Sequence, residues 1–188
     1  MRLAAAQTCM FQISRDNPAY CLTSVTHNRL PIFQKIELAK VMCAALDEAR
    51  RSGNILIFAY VIMFDHTHLL TDNSRDIKDT LRFLNGISAR RVINYLTEHD
   101  YRSSLQKLRV VERRDTQKYS VYQHHPNALR ITGEDAFMQK ANYIHLNPVR
   151  AGLVEHPDDY IFSSSRLWHN KTLENEPLVT DHHKIRWR

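Results

Sequence analysis

The stretch NILIFAYVIM, residues 54–63, constrains this chain more than any other segment. It is an almost unbroken apolar run, rich in β-branched and aromatic residues. It falls well short of the roughly 20 residues a membrane span needs. Such a run reads as a buried strand. FD then makes a turn, and HTHLLTD returns as a second strand. Ahead of this pair, AYCLTSVTHNR is rich in Thr and Val and reads as a strand. QKIELAKVMCAALDEARRSG follows it, with Ile36, Ala39, Val41, Met42, Ala45, Leu46 and Ala49 near helical spacing and Gly53 as a natural stop.

A second helix is expected over residues 74–99, with Ile77, Leu81, Leu84, Val92 and Leu96 inward. Residues 100–120 are polar and basic, and suggest only a strand around LRVVE; NALRI reads as a further strand. In TGEDAFMQKANYIHLNP, Thr132 and Asp135 approximate a capping box, and Phe137, Met138, Ala141 and Ile144 form an apolar stripe. Pro148 is expected to stop this helix. The order strand, helix, strand, strand, helix, strand is that of the ferredoxin-like split βαβ arrangement. The expected class is therefore α+β, an antiparallel sheet with helices packed on one face. The 188 residues suit one domain, expected over 18–168, with an N-terminal extension at 1–17 and a C-terminal tail at 169–188 that wraps the surface.

That fold hosts many activities, so function must come from residues. The odd count of three cysteines, Cys9, Cys21 and Cys43, favours free thiols in a reducing cytoplasm over a disulfide frame. MRLAAAQTCMFQ is too weakly apolar for a secretory signal, so a cytoplasmic protein without a membrane anchor is expected. Lys plus Arg exceed Asp plus Glu by 26 to 20, a formal charge of +6. That balance is compatible with nucleic acid, and Arg82, Arg90, Arg91, Arg102, Lys107, Arg109, Arg113, Arg114 and Lys118 crowd the middle third. A solvated helix face accounts for any one of them equally well.

His66 and His68 stand at i and i+2, so on a strand both imidazoles leave the same face, at a spacing able to share a divalent cation. In a chain with 11 histidines, a polar turn without metal accounts for the same spacing. Asp65 fits either a carboxylate supporting a ligand or a simple turn residue. In QKANYIHLNPVR, Tyr143 and Asn147 are i and i+4 and project on one side of a helix. A core tyrosine and a helix-capping asparagine are the alternative. His145 points away from Tyr143, and Tyr119 and Tyr122 are expected in the core.

Taken together, two imidazoles, an amide oxygen and a phenol are the parts of a phosphoryl-transfer centre. Tyrosine has a pKa near 10, so about one in a thousand is phenolate at neutral pH. It therefore needs a base or an unusually electrophilic phosphate. A metal bridging the phosphate oxygens supplies the second and orients the attack. The product is a phosphotyrosine linkage, which conserves bond energy and permits rejoining.

YVIMFDHTHLL resembles the HUH motif (His, hydrophobic residue, His) of single-tyrosine transposases. YIHLNPVRAGLVEHPDDYIFSSS resembles the signature of their REP-associated tyrosine transposase branch, and LTSVTHNRLPIF and YSVYQHHPNALRI also fit, so the similarity covers roughly residues 18–168. The resemblance implies a ferredoxin-like fold with the HUH site on a central strand and the catalytic tyrosine on a later helix. It implies a bacterial transposase that cuts and rejoins single-stranded DNA next to a short hairpin of the repetitive extragenic palindrome kind, working as monomer or homodimer. His66 and His68 match the metal ligands, Tyr143 the nucleophile and Asn147 a ligand one turn after it, with Mg2+ or Mn2+ as the metal. By that reading Tyr143 keeps the 5′-phosphate and releases a 3′-hydroxyl. Lys140 is a candidate for the scissile phosphate, Arg150 for the DNA backbone, and Arg90 and Arg91 for hairpin phosphates.

Two positions depart from the family pattern. Thr67 replaces a bulky apolar residue and is expected to face the core, where its hydroxyl needs a hydrogen bond. Phe64 stands where proline is usual and gives up turn rigidity. A catalytically inactive hairpin-binding protein of the same fold is the main alternative, and a metallohydrolase with no tyrosine intermediate is another.

Overall fold

The computed structural model describes residues 10–110, 119–123 and 127–187. The apolar run forms β2 (Ile57–Ile62), buried at every position, and HTHLLT forms β3 (His66–Thr71). The Met63 amide donates to the His66 carbonyl at 2.8 Å, so Phe64 and Asp65 alone make the turn between them. β1 (Ala19–Val25) pairs antiparallel with β3, and β4 (Asn127–Ile131) pairs antiparallel with β1. The sheet order is β2-β3-β1-β4, the ferredoxin-like order, with β3 and β1 central.

The two helices between the strands cover one face. In α1 (Ile36–Gly53), the left-handed cap is Asn54 at φ 50°, one residue beyond the expected glycine stop. Gly53 is needed for a different reason: a Cβ there would lie 2.7 Å from the Ile55 side chain. Ile36, read as part of the inward stripe, is exposed, because it opens the helix ahead of the packed turns. α2 (Ile77–Glu98) begins at Asp76, whose carboxylate accepts from the Lys78 amide at 2.9 Å. Leu84, Val92 and Leu96 are buried, and Ile77 and Leu81 are partly so. Ser24 of β1 donates to Asn85 of α2 at 2.8 Å, and the Tyr122 hydroxyl lies 2.9 Å from Ser88 Oγ and 3.2 Å from Met42 Sδ. Tyr122 is thus a core residue, as the sequence suggested, and Tyr119 packs against the same core half-buried.

Side chains alternate across a strand, so Thr67 is buried beneath α1 and α2 while His66 and His68 leave the opposite face. Against that opposite face lies the later helix, α4 (Glu134–Arg150), packed on β2 and β3. Its buried stripe is Phe137, Ala141, Ile144, His145 and Pro148, with Phe137 edge-on to Phe58 of β2 at 5.6 Å. Met138, expected in that stripe, is 36% exposed, because the helix is rotated towards His145. The expected capping box does not form: the N-cap is Gly133, with no side-chain hydrogen bond. Nor does Pro148 end the helix, which runs on to Arg150. Proline cannot serve the Ile144 carbonyl one turn back. The Asn147 side-chain amide lies 3.5 Å from that carbonyl and donates to the Tyr143 carbonyl at 2.7 Å.

Residues 100–120, where the sequence suggested only a strand around LRVVE, include the helix α3 (Arg102–Leu108). Beyond it, only Arg109 is strand-like, in an isolated bridge to Tyr119, and the rest of the expected LRVVE strand from 111 onward lies outside the described residues. Cys9, Arg113, Arg114, Lys118 and the start of the 1–17 extension also lie outside them.

The free side of β2 is covered. The Ile62 amide donates to the Phe162 carbonyl at 2.9 Å and the Ser164 amide to the Tyr60 carbonyl at 3.0 Å, so residues 160–164 shield what would be an open sheet edge. A buried Arg166, at the start of α5 (Ser165–Trp168), holds this segment. It donates to the carbonyls of Tyr160 and Ile161 at 2.8 Å each and to the Glu176 carboxylate at 2.6 Å. His145 Nε2 then lies 2.9 Å from Ser164 Oγ, which also accepts from the Tyr60 amide. Both chain ends join the same core through Phe11, Ile13, Leu178 and Ile185, and Asp181 accepts from Arg50 and from the Ile57 amide at 3.2 Å each. Among the described residues no helix is long and apolar enough to cross a membrane.

Both buried contacts predict stability effects. Removing the Glu176 carboxylate leaves the Arg166 charge buried without its counterion, so Glu176→Ala is expected to cost about 3–5 kcal/mol in urea unfolding. Burial, and then the charge of His169, lowers the His145 pKa from 6.5 to about 4. The unfolded chain therefore takes up this proton first as pH falls, so the contribution is intact above pH 6.5 and is lost between 6.5 and 4. His145→Gln, which retains a nitrogen for Ser164, is expected to unfold with a shallower loss of stability across that window than the parent chain.

Candidate active site

β3 positions the two imidazoles by register. His66 pairs across the sheet with Val25 of β1, while His68 pairs with Thr23 of β1 and Val61 of β2. The rings sit edge to face with centroids 5.0 Å apart. Their δ nitrogens are both occupied. His66 Nδ1 lies 2.6 Å from Asp65 Oδ1, and His68 Nδ1 lies 2.8 Å from Thr23 Oγ1. Neither Nε2 has a hydrogen-bond partner among the described residues, so the two ε nitrogens are the edges left for another group.

Asp65 is held from several sides. Its carbonyl accepts from the Thr26 amide at 2.8 Å and from Thr26 Oγ1 at 2.9 Å. Its carboxylate accepts from Arg29 Nη1 at 3.1 Å as well as from His66. Burial pushes the Asp65 carboxyl up, but the hydrogen bonds and charges of His66 and Arg29 outweigh it, and the net shift is downward. Arg29 reaches Asp65 from a turn in which Asn28 and Arg29 both have positive φ, 52° and 53°. Left-handed backbone costs an ordinary side chain roughly 1–2 kcal/mol, and here it brings the guanidinium back over the hairpin turn. His68 is more enclosed than His66: burial, then His66 and Lys140, lowers its pKa from 6.5 to about 4, so its ring is neutral at physiological pH.

α4 brings the phenol to this face. The Tyr143 ring lies edge-on to His68 with centroids 5.5 Å apart, 38% exposed, and its hydroxyl has no hydrogen-bond partner among the described residues. Lys140 Nζ stands 5.5 Å and the Arg150 guanidinium carbon 5.0 Å from the ring centroid, one turn before and two turns after it. Asn147 is one turn beyond Tyr143, with its amide nitrogen tied to the helix backbone and its oxygen accepting no hydrogen bond among the described residues. Among the described residues no three His, Cys, Asp or Glu side chains gather as a metal site, so any third protein donor beside the histidine pair is of another kind, such as this amide.

The structure therefore gathers His66, His68, Tyr143, Lys140 and Arg150, with Asn147 on the same helix. It does not gather Arg90 and Arg91, which lie on α2 across the sheet. Arg91 forms a bidentate pair with Glu48 of α1 at 2.7 and 2.8 Å, joining the two helices. Arg90 is exposed on the outer side of α2. Thr23 and Arg29 were not legible as site residues. Thr23 is visible only once the β1–β3 register is known, and Arg29 carries no local signal.

No protein-family model matches the sequence, and no curated protein matches it. Among solved structures, the fold is similar to that of a REP-associated tyrosine transposase bound to a REP hairpin. The TM-score is 0.61 at 14% identity, over 97% of this chain and 93% of that one. A protein of Deinococcus radiodurans R1 proposed to be a transposase is similar at 21% identity over 68% of this chain and 88% of that one, with a TM-score of 0.49. The first likeness spans nearly the whole of both chains and establishes a shared fold.

Because the Tyr143 hydroxyl has no hydrogen-bond partner among the described residues and the ring is partly solvated, Tyr143→Phe is expected to change the unfolding free energy by less than about 0.5 kcal/mol. Urea titration of the two proteins side by side checks this.

Proposed function

We propose that the protein is a metal-dependent transposase of the REP-associated tyrosine kind, which nicks and rejoins single-stranded DNA beside a hairpin. The observation that carries this reading is one juxtaposition: a tyrosine hydroxyl on a helix against two imidazoles with tied δ nitrogens, the hydroxyl and both ε nitrogens having no partner among the described residues. Tyr122 is enclosed and hydrogen-bonded in the core; Tyr143 is 38% exposed at the imidazole face, and its hydroxyl has no partner among the described residues. The hairpin substrate follows from the ligand of the structurally similar transposase and from the signature in residues 143–165.

In this reading the Tyr143 oxygen attacks the scissile phosphorus. A bond forms from phosphorus to the phenolic oxygen, and the bond from phosphorus to the 3′-oxygen breaks. The phenolic proton passes to solvent, and the departing 3′-oxygen takes one up to become a hydroxyl. The 5′-phosphate stays on Tyr143 until a 3′-hydroxyl attacks it, which reverses the same bonds and rejoins a strand. Lys140 and Arg150, 5.5 and 5.0 Å from the ring centroid, hold the phosphate negative charge near the attacking oxygen.

His66, His68 and Asn147 are the residues that would hold a divalent cation. The Asn147 amide oxygen is a hard donor of the kind Mg2+ or Mn2+ takes, and the two imidazoles would add borderline nitrogen donors. When bound, such an ion supplies Lewis-acid polarisation of the scissile phosphate. The hydrogen bonds at both δ nitrogens suit this task, because they leave the ε nitrogens as the ligating atoms.

The test is a cleavage assay with a hairpin-tailed single-stranded oligonucleotide and Mn2+. A covalent protein–DNA adduct is expected with the parent chain and not with Tyr143→Phe, while His66→Ala and His68→Ala are expected to lower its rate at least 100-fold. An adduct-free parent chain that still binds the hairpin identifies a non-cutting binding protein instead. Cleavage that survives Tyr143→Phe identifies hydrolysis without a tyrosine intermediate.

A further inference from the structure

The donor edges of the two histidines are not set in the same way, and the difference assigns a role to residues outside the ligand set. A carboxylate only accepts, so the 2.6 Å contact at Asp65 requires a proton on His66 Nδ1, which in the neutral ring leaves the lone pair on Nε2. A hydroxyl both donates and accepts, so the 2.8 Å contact between Thr23 and His68 Nδ1 is compatible with either ring tautomer. One ligand is therefore committed in advance and the other is not.

We propose that Asp65, braced by Arg29 and Thr26, is the positioning residue that pre-organises the histidine pair for a divalent cation. His68 takes up its ligating tautomer only as the cation binds. The inference rests on the metal-site reading above and deepens it. The carbonyl of Asp65 is engaged by Thr26 through two hydrogen bonds, one carboxylate oxygen by His66 and the other by Arg29. A turn residue chosen only for its backbone needs none of the side-chain contacts. The turn itself is closed by Met63 and His66 backbone atoms, independently of the carboxylate.

Arg29 completes the device. It is 67% exposed, but its salt bridge aims one carboxylate oxygen away from His66 and so fixes the plane of the other. The pair is worth little as a surface salt bridge; its role is orientation. The two consecutive left-handed residues, Asn28 and Arg29, turn the guanidinium back towards the hairpin.

Ring tautomers and metal affinity read this directly, without DNA and without activity. In metal-free wild type, nitrogen-resolved NMR is expected to show His66 with the proton on Nδ1, and His68 as a mixture of tautomers. Asp65→Leu, which removes the acceptor, is expected to return His66 to the mixture and to weaken Mn2+ binding 10- to 100-fold, followed by the paramagnetic signal of free Mn2+. Asp65→Asn keeps the shape of the turn, and its amide can meet either tautomer, so it is expected to shift His66 in the same direction. It serves as the second variant should Asp65→Leu fail to fold. Thr23→Val is expected to weaken Mn2+ binding less than Asp65→Leu does.

Mn2+ binding that is lost in the His66→Ala/His68→Ala double variant but unchanged in folded Asp65→Leu or Asp65→Asn would overturn the inference and leave the metal site standing. Equal Mn2+ binding by wild type and the double variant would overturn the metal site itself. A mixed His66 tautomer in wild type would also overturn the proposed role of Asp65, whatever the affinities.

Discussion

The turn Phe64–Asp65 is the constraint from which the site follows. With only Met63, Phe64 and Asp65 between β2 and β3, and the Met63 amide bonded to the His66 carbonyl, the pairing of Ile62 with Thr67 is fixed, and a slip of one position would send every β3 side chain to the other face. His66 and His68 would then lie beneath α1 and α2, and Thr67 would face α4. The register is also held from outside the hairpin, because Thr26 at the end of β1 binds the Asp65 carbonyl through two hydrogen bonds. Three strands thus agree on where the imidazoles emerge, and the ring that emerges deeper, His68, is the one nearest the tyrosine.

The other half of the site is placed by a longer mechanical chain. Tyr143 and His145 are two residues apart on α4, about 200° around the helix, so only one of them can face the imidazoles. His145 is taken by Ser164, which is bonded to β2 and held in position by the buried Arg166 and its partners. The contacts of the FSSSR segment therefore set the rotation of α4, and that rotation turns Tyr143 to the imidazole face. Its partial exposure is a consequence of the same rotation, since Phe137, Ala141 and Ile144 already fill the buried stripe. A residue far from the site in sequence, Glu176, thereby supports the angle at which a phenol meets a histidine.

Most of the sheet was legible because its signals are local. NALRI is β4 residue for residue, and the apolar run with its FD turn gives β2 and β3 within a few positions. The ends of α4 were not legible, because a side-chain amide from Asn147 offsets what Pro148 removes, and periodicity does not register that exchange. Met138 was misplaced because a histidine with a buried partner looks polar in sequence and behaves as core in the fold. The fold places His66, His68 and Tyr143 side by side, the arrangement that the family resemblance implied and the spacing alone left open. Thr23 and Arg29 depend on strand register and on two left-handed residues, and neither is written in any short stretch of sequence.

Charge shows the same distinction between composition and placement. The formal charge of +6 suggests a basic protein in general, but several arginines are consumed locally. Arg91 is tied to Glu48, Arg50 to Asp47 and Asp181, and Arg166 is buried against Glu176. Such pairs contribute little long-range field, because each cation carries its own anion within contact distance. Lys140 and Arg150 differ: no salt bridge joins either to an acidic partner among the described residues, and each lies about a ring's width from Tyr143. A phosphate approaching this face therefore meets positive charge that has no local anion to displace. The middle-third cluster that stood out in the sequence is, in part, internal bracing between α1 and α2. The two cations nearest the Tyr143 ring, Lys140 and Arg150, come instead from α4, on the opposite face of the sheet.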